Sequence, residues 1–363
     1  MKLSIGATFD QGFLGMIKLA PTNYIIIQTD HSDSIKFMIN KQITYSPAYT
    51  LVPTYDCFNR CSYCNFRTDI GTSPWLTLTA AAEILKTLGD QGIIEILILS
   101  GEVHPHSSQR LAWFKRIYEL CELAISLGFL PHTNVGLLTF AEMKQLKQVN
   151  VSLGLMLEQI NPKLLETVHR YSPSKVPGLR LQQLEWAGEL KIPFTTGLLL
   201  GIGETSADWR DTLKAIAIIH KRWGHIQEVI LQPHSLGSQQ SDPRDSFNLQ
   251  QLPEVVAIAS SILPDDITLQ IPPNLVTNPD ILLACLEAGA RDLGGISPRD
   301  EVNPDYPQDQ DQTLQTILAP KGWELVRRLP VYPQYDAWVF PDLQGIVTEW
   351  RKKLAISETP VLY

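Results

Sequence analysis

From Tyr49 onward, short apolar runs alternate with longer segments whose apolar residues recur every three or four positions. Eight runs have strand character, at 49–55, 94–99, 130–137, 151–157, 194–200, 228–232, 267–271 and 290–296. The intervening segments read as helices. Thr79 opens one whose stripe is Glu83-Ile84-Leu85 and Leu88, and helical spacing recurs over 113–127, 209–219 and 255–263. Such alternation predicts an α/β chain with a parallel sheet. Eight units in about 250 residues fit a (β/α)8 TIM-type barrel. An open or partial six-unit barrel is the alternative that a strand count leaves standing.

The barrel is assigned to 43–297, after an N-terminal segment, 1–42, without a clear period. A C-terminal extension, 298–363, completes the barrel or packs on it. Residues 238–252 and 297–312 are rich in Ser, Gln, Pro and Asp and read as polar loops.

Composition narrows the function. The net charge of −8 argues against a general binder of nucleic-acid backbones. Lys221-Arg222, Arg327-Arg328 and Arg351-Lys352-Lys353 read as solvated helix faces. No run of about 18 apolar residues suggests a membrane helix, and no secretory leader is evident. Of five cysteines, three fall within eight positions, unlike a secreted disulfide framework. These features point to a reducing cytoplasm. Cys121 and Cys285, in helix-like segments, read as buried small hydrophobes.

Cys57, Cys61 and Cys64 have the spacing Cys-x3-Cys-x2-Cys directly after the first strand, where a barrel opens its C-terminal face. Three thiolates can hold three irons of a [4Fe–4S] cluster and leave the fourth iron open to a small chelating molecule. Zinc is the main rival, with His104 or His106 as fourth ligand. Three buried structural thiols are the bland alternative, which this density of cysteines disfavours. Other chemistry-bearing residues sit at predicted strand ends. Glu102 ends the second strand in Ser100-Gly101-Glu102 and could accept from an ammonium. Glu158 ends the fourth and could bind a ribose diol, as acids do in dinucleotide sites.

The loop with Tyr63 before its last cysteine resembles the signature of the radical S-adenosylmethionine (SAM) superfamily. That resemblance implies a [4Fe–4S] cluster and SAM as cofactors. It places the backbone of Tyr63 near the adenine, and Ser100, Gly101 and Glu102 in a Gly-Gly-Glu-like turn meeting the methionine amino group. It sets Gly201 and Gly203 in a glycine turn beside the cofactor and brings Gln232 near the adenine. Three stretches together, Ile43-Thr44-Tyr45-Ser46-Pro47, 57–67 and Ser100-Gly101-Glu102-Val103-His104-Pro105, resemble the CofG-type subunits of 7,8-didemethyl-8-hydroxy-5-deazariboflavin synthase. The resemblance runs from about Ile43 to Gly295.

What this family resemblance implies is a carbon–nitrogen lyase. It would close the 8-hydroxy-5-deazaflavin ring of a 5-amino-5-(4-hydroxybenzyl)-6-(ribitylimino)uracil adduct, with loss of ammonia, through a 5′-deoxyadenosyl radical. A sister radical SAM subunit would supply the adduct, and a one-electron donor such as flavodoxin or ferredoxin would reduce the cluster. Arg67, His104, His132, Asn134 and His234, polar groups near strand ends, are candidates for substrate contact. Other barrel radical SAM enzymes, such as a tyrosine lyase or a quinone-pathway cyclase, are the nearest competing readings. A zinc-stabilised binding protein is the non-enzymatic one.

Overall fold

A computed structural model describes residues 15–20, 23–29, 35–240, 245–307 and 311–357. Two strands, β1 (Gly15–Ala20) and β2 (Asn23–Thr29), pair antiparallel. β2 then runs antiparallel along the first part of β3 (Ile35–Leu51), from Thr29 opposite Ile35 to Asn23 opposite Lys41. The second part of β3 enters the barrel. There follow α1 (Leu78–Thr87), β4 (Glu95–Leu99), α2 (Arg110–Ser126), β5 (Leu130–Asn134), α3 (Phe140–Leu146) and β6 (Ser152–Gly154). The series continues with α4 (Pro177–Glu189), β7 (Phe194–Leu200), α5 (Ser206–Trp223), β8 (Ile226–Pro233), α6 (Leu252–Ile262), β9 (Thr268–Gln270), α7 (Pro279–Ala288) and β10 (Asp292–Ile296). Each strand from β3 to β10 is parallel to the next, and β10 pairs with β3, with Gly295 opposite Ser46. The barrel is therefore closed with eight strands, and the six-unit alternative falls.

The expected first strand at 49–55 is corrected to Ile35–Leu51. Ile43 and Tyr45 are buried in the core shared with the helices, whereas Ser46 and Thr50 alternate with them toward the axis. Polar inward positions hide this strand from a search for continuous apolar runs. Of the N-terminal segment assigned to 1–42, residues 1–14, 21–22 and 30–34 lie outside the described residues. In the polar loops, 241–244 and 308–310 also lie outside them, while Leu252 already begins α6.

Local chemistry fixes the helices. Thr139 with Glu142 and Thr205 with Asp208 form capping boxes at the starts of α3 and α5, and Gly224 ends α5 at φ 67°. Cys121 and Cys285 are wholly buried in α2 and α7, where burial pushes their thiols up to about 11 and about 12. No helix among the described residues is long and apolar enough to cross a membrane.

After β10 the chain passes through α8 (Asp311–Leu318) to β11 (Trp323–Arg327), which pairs parallel with β3 from Lys41 to Tyr45. It then turns beneath the barrel and ends in α9 (Pro341–Ser357). Leu329, Val331, Tyr332, Val339, Leu343 and Val347 form a second core with Ile94, Leu130 and Val151, which stand at or just before the starts of β4, β5 and β6. Residues 358–363 of the assigned extension lie outside the described residues. Arg328 overturns one sequence expectation: it is buried, not part of a solvated helix face. Its guanidinium bonds Asp292 Oδ1 at 2.7 Å and Glu228 Oε1 at 2.8 Å inside the barrel floor.

Candidate active site

The loop between β3 and α1 carries the three cysteines, and its base is pinned. Cys57 N–H donates to the carbonyl of Thr68 at 3.2 Å, and Thr68 N–H to that of Tyr55 at 2.8 Å. The buried Asp56 carboxylate accepts from Gly71 N–H at 2.7 Å, Ser73 N–H at 2.8 Å and Thr68 Oγ1 at 3.1 Å. Gly101 packs directly on this base. A Cβ there would lie 2.2 Å from the Asp56 carbonyl oxygen, so only glycine lets the end of β4 approach the loop.

Cys57, Cys61 and Cys64 are half-buried and line one cavity of about 350 Å³. The Glu102 N–H donates to Cys57 Sγ at 3.3 Å. Asn59, beside it, is held by Ser174 through bonds of 2.8 and 3.1 Å. Burial pushes the Cys57 thiol up to about 12, with the Glu102 carboxylate adding to it, and burial also raises Cys64. Such thiols ionise when a cationic centre replaces the lost solvation. Among the described residues no group of three or more His, Cys, Asp or Glu side chains is arranged to hold a metal ion. His104 and His106, the residues a zinc reading needs, are exposed and stack on each other at 5.5 Å, outside the cavity lining. The donor set fits three corners of an iron–sulfur cluster better than a closed zinc site.

Two buried carboxylates share the cavity mouth. Glu102 accepts from Ser174 Oγ at 3.0 Å and Leu137 N–H at 3.3 Å. It lies across Gly136, where a Cβ would come within 2.1 Å of the Glu102 carboxyl carbon at a φ of 80°. Glu158 holds a left-handed φ of 63°, a strain of about 1–3 kcal/mol that its backbone bonds to Gly197 and Leu199 sustain. Burial alone would raise its carboxyl, but Lys175 at 2.6 Å and Arg180 at 3.8 Å hold it below the ordinary value. Arg180 also stands 4.0 Å from Glu102, so both carboxylates answer to one guanidinium. The Tyr63 hydroxyl and His169 Nε2 are 2.9 Å apart, and burial pushes His169 down to about 3. The neutral ring and the phenol share one hydrogen bond, whose direction follows the tautomer of His169.

Ser100, Arg67, Asn134, Gln232 and His234 line the same cavity. Ser100 Oγ also accepts from Trp113 Nε1 at 3.0 Å. His104 does not line it, because it follows the turn outward onto Phe58. Gly201 and Gly203 do not line it either. Their turn, at φ 91° and 110°, packs against Phe247 and is held by Glu204, which accepts from Gly201 N–H at 2.6 Å, Ile202 N–H at 2.8 Å and Trp209 Nε1 at 2.8 Å. His132 lies mid-strand, deeper than a rim position. Sequence reasoning missed Asn59, Lys175 and Arg180. No local word marks them, since Lys175 and Arg180 reach the mouth from the turn before α4 and from α4 itself.

A family model, the radical SAM superfamily, matches residues 51–216. The 7,8-didemethyl-8-hydroxy-5-deazariboflavin synthase of Trichodesmium erythraeum (strain IMS101) is 66% identical over 318 residues, covering 88% of this chain and 100% of that protein. Its namesake from Trichormus variabilis (strain ATCC 29413 / PCC 7937) is 67% identical over 309 residues, 85% of this chain and 91% of that one. Gloeobacter violaceus (strain ATCC 29082 / PCC 7421) has one at 56% over 317 residues, covering 87% and 98%. Among solved structures, the FeFe-hydrogenase maturase HydG from Carboxydothermus hydrogenoformans superposes with a TM-score of 0.65 over 88% of this chain and 79% of that one, at 17% identity. Methylornithine synthase (PylB) gives 0.60 over 79% and 84%, also at 17%, so these two show the fold alone. With 66% of 318 aligned residues identical across the whole length of a named relative, this chain belongs to the 7,8-didemethyl-8-hydroxy-5-deazariboflavin synthase family of the radical SAM superfamily.

Proposed function

We propose that this chain is a radical SAM enzyme that closes the 8-hydroxy-5-deazaflavin ring from a hydroxybenzyl–ribitylaminouracil adduct with loss of ammonia. The observation that carries the reading is the convergence of Cys57, Cys61, Cys64, Glu102 and Glu158 on one mouth of a barrel cavity. It occurs in a chain 66% identical to a protein of that name. Cys57, Cys61 and Cys64 would hold a [4Fe–4S] cluster with one iron left for SAM. When bound, this pair supplies one electron and a 5′-deoxyadenosyl radical able to take a hydrogen atom from the adduct.

The protein's part is to bind, orient and exclude water. Glu102, fixed by Ser174 and Gly136, would accept from the methionine ammonium. Glu158, kept ionised by Lys175 and Arg180, would accept from the ribose diol. The backbone of Tyr63 and the side chain of Gln232 would flank the adenine, with Ser100 and Gly101 shaping the wall. Gly201 and Gly203 would set the shape of the neighbouring turn. Arg67, His132, Asn134 and His234 are the groups that would meet the substrate. A sister subunit would deliver the adduct, and flavodoxin or ferredoxin would supply electrons, in a reducing cytoplasm that keeps the thiols free.

Replacing each of Cys57, Cys61 and Cys64 with alanine tests the foundation. Anaerobically reconstituted protein should lose iron, sulfide and the broad visible band in every variant. A full, SAM-cleaving cluster in any one of them would remove the assignment.

A further inference from the structure

A TIM-type barrel is ordinarily packed solid with bulky aliphatic side chains, yet the cavity here runs from the cysteines down to Glu95, Glu228, Arg328 and Pro330. Small residues in the middle of the barrel open it. Gly295 lines the cavity, and a Cβ there would stand 3.2 Å from the Ala48 Cβ and 3.8 Å from the Glu95 carboxylate oxygens. Gly154 and Gly197 leave room at the wall for His132 and Met156, whose Nε2 and Sδ occupy the places 2.9 and 2.8 Å from the missing Cβ atoms.

The lower end is polar. His132, Thr195, Glu95 and Glu228 all line it. Ser152 donates its hydroxyl proton to the Pro330 carbonyl at 2.6 Å, so it accepts from His132 Nδ1 at 2.6 Å. The neutral imidazole is left with Nε2 as an acceptor on the cavity side. Asp292 carries the charge that balances Arg328, to which it is doubly bonded. Burial raises the carboxyls of Glu95 and Glu228 above the ordinary value. An anion would meet two carboxyl groups. A cation would meet Arg328, and an apolar ring would leave His132 Nε2 without a donor, whereas Thr195 and Glu228 already bond each other and Glu228 bonds Arg328. The carboxyl, hydroxyl and imidazole groups that line this blind shaft suit a chain of vicinal hydroxyls, each of which both donates and accepts. Inward positions along one strand are about 6.6 Å apart, close to the length of a five-carbon chain.

We propose that the lower half of the barrel is a blind polar shaft that takes the ribityl chain of the substrate, with its hydroxyls on Glu95, His132, Thr195 and Glu228. The aromatic half, where the ring closes, then lies in the upper barrel beneath the cysteine loop. This inference rests on the deazaflavin reading. It also gives the C-terminal extension a role in specificity, since Arg328 and Pro330 floor the shaft.

Equilibrium dialysis of the reconstituted protein against two ligands tests it. One is the 8-hydroxy-5-deazaflavin bearing ribityl at N10, the other its N10-methyl analogue. The ribityl compound should bind at least tenfold more tightly. Glu95→Met, which keeps the length of the side chain and removes its hydrogen-bonding groups, should shrink that preference at least threefold. Gly295→Ala, which adds one methyl group beside Glu95, should weaken the ribityl compound and leave the methyl analogue unchanged. A preference near one in the parent protein, or one untouched by both substitutions, overturns the shaft. If both ligands bind equally and the adduct is still converted, the shaft fails and the function stands. If neither binds and the adduct is not converted, both fail.

Discussion

Removing Arg328 should cost the fold about 3–5 kcal/mol. Arg328, Asp292 and Glu228 are 9%, 0% and 5% exposed at their side chains. The guanidinium makes two bonds to Asp292 and one to Glu228, at 2.8 Å for the latter. Asp292 is further bonded by Thr44. Arg328→Ala leaves the Asp292 carboxylate charged in a dry interior, and breaking a buried pair from one side costs in this range. Against a total of about 5–15 kcal/mol for a typical domain, that loss is large. Asp292→Asn in the same chain removes the stranded charge, so the double variant should be more stable than the sum of the singles by about 0.5–3 kcal/mol. Urea unfolding under anaerobic conditions reads both numbers as shifts in midpoint at constant slope. A loss below about 1 kcal/mol for Arg328→Ala, with additive behaviour in the double variant, would refute the view that this residue fastens the C-terminal extension to the barrel floor.

Three further outcomes are expected. Gly136→Ala should push Glu102 off its seat, because the added Cβ falls 2.1 Å from the Glu102 carboxyl carbon; SAM affinity should drop at least tenfold at unchanged iron content, and unchanged affinity would contradict the placement. Glu102→Gln and Glu158→Gln should each weaken SAM binding by about 1.5–3 kcal/mol, the worth of one charge-assisted hydrogen bond, as read by calorimetry on the reconstituted protein; parent-like binding would remove these roles. Burial, with Arg328 nearby, holds His132 near 3 against an ordinary 6.5. A depressed histidine favours the neutral fold, so its contribution is complete above about 6.5 and lost as pH falls toward about 3, by up to about 1.4 kcal/mol per pH unit; a His132→Asn variant should show a shallower acid slope in stability than its parent.

The cysteine loop was legible because its chemistry is written in local spacing, and the helices because their apolar stripes face one way. The barrel strands read less well. Their inward residues include Thr50, Glu95, His132 and Glu228, so the apolar side is the one turned to the helices. For β3 this left only 49–51 of Ile35–Leu51 inside the expected run, and its pairing with β2 lay beyond any periodicity. Arg328 looked like surface because a lone sequence cannot show that Asp292 and Glu228 meet it from strands 36 and 100 residues away. Lys175 and Arg180 escaped for the same reason. Ser100, Gly101 and Glu102 at the end of β4 line the cavity, whereas the Gly201–Gly203 turn is held by Glu204 and Phe247, outside it.

The central claim is tested most directly by one labelled turnover. The adduct, carrying deuterium at the position to be abstracted, is given to the reconstituted chain with dithionite and SAM in the absence of any sister enzyme. The account predicts a fluorescent 8-hydroxy-5-deazaflavin, with ammonia and methionine released and deuterium recovered in 5′-deoxyadenosine. An intact cluster that cleaves SAM, yet leaves the adduct unchanged and the deoxyadenosine unlabelled, would contradict it.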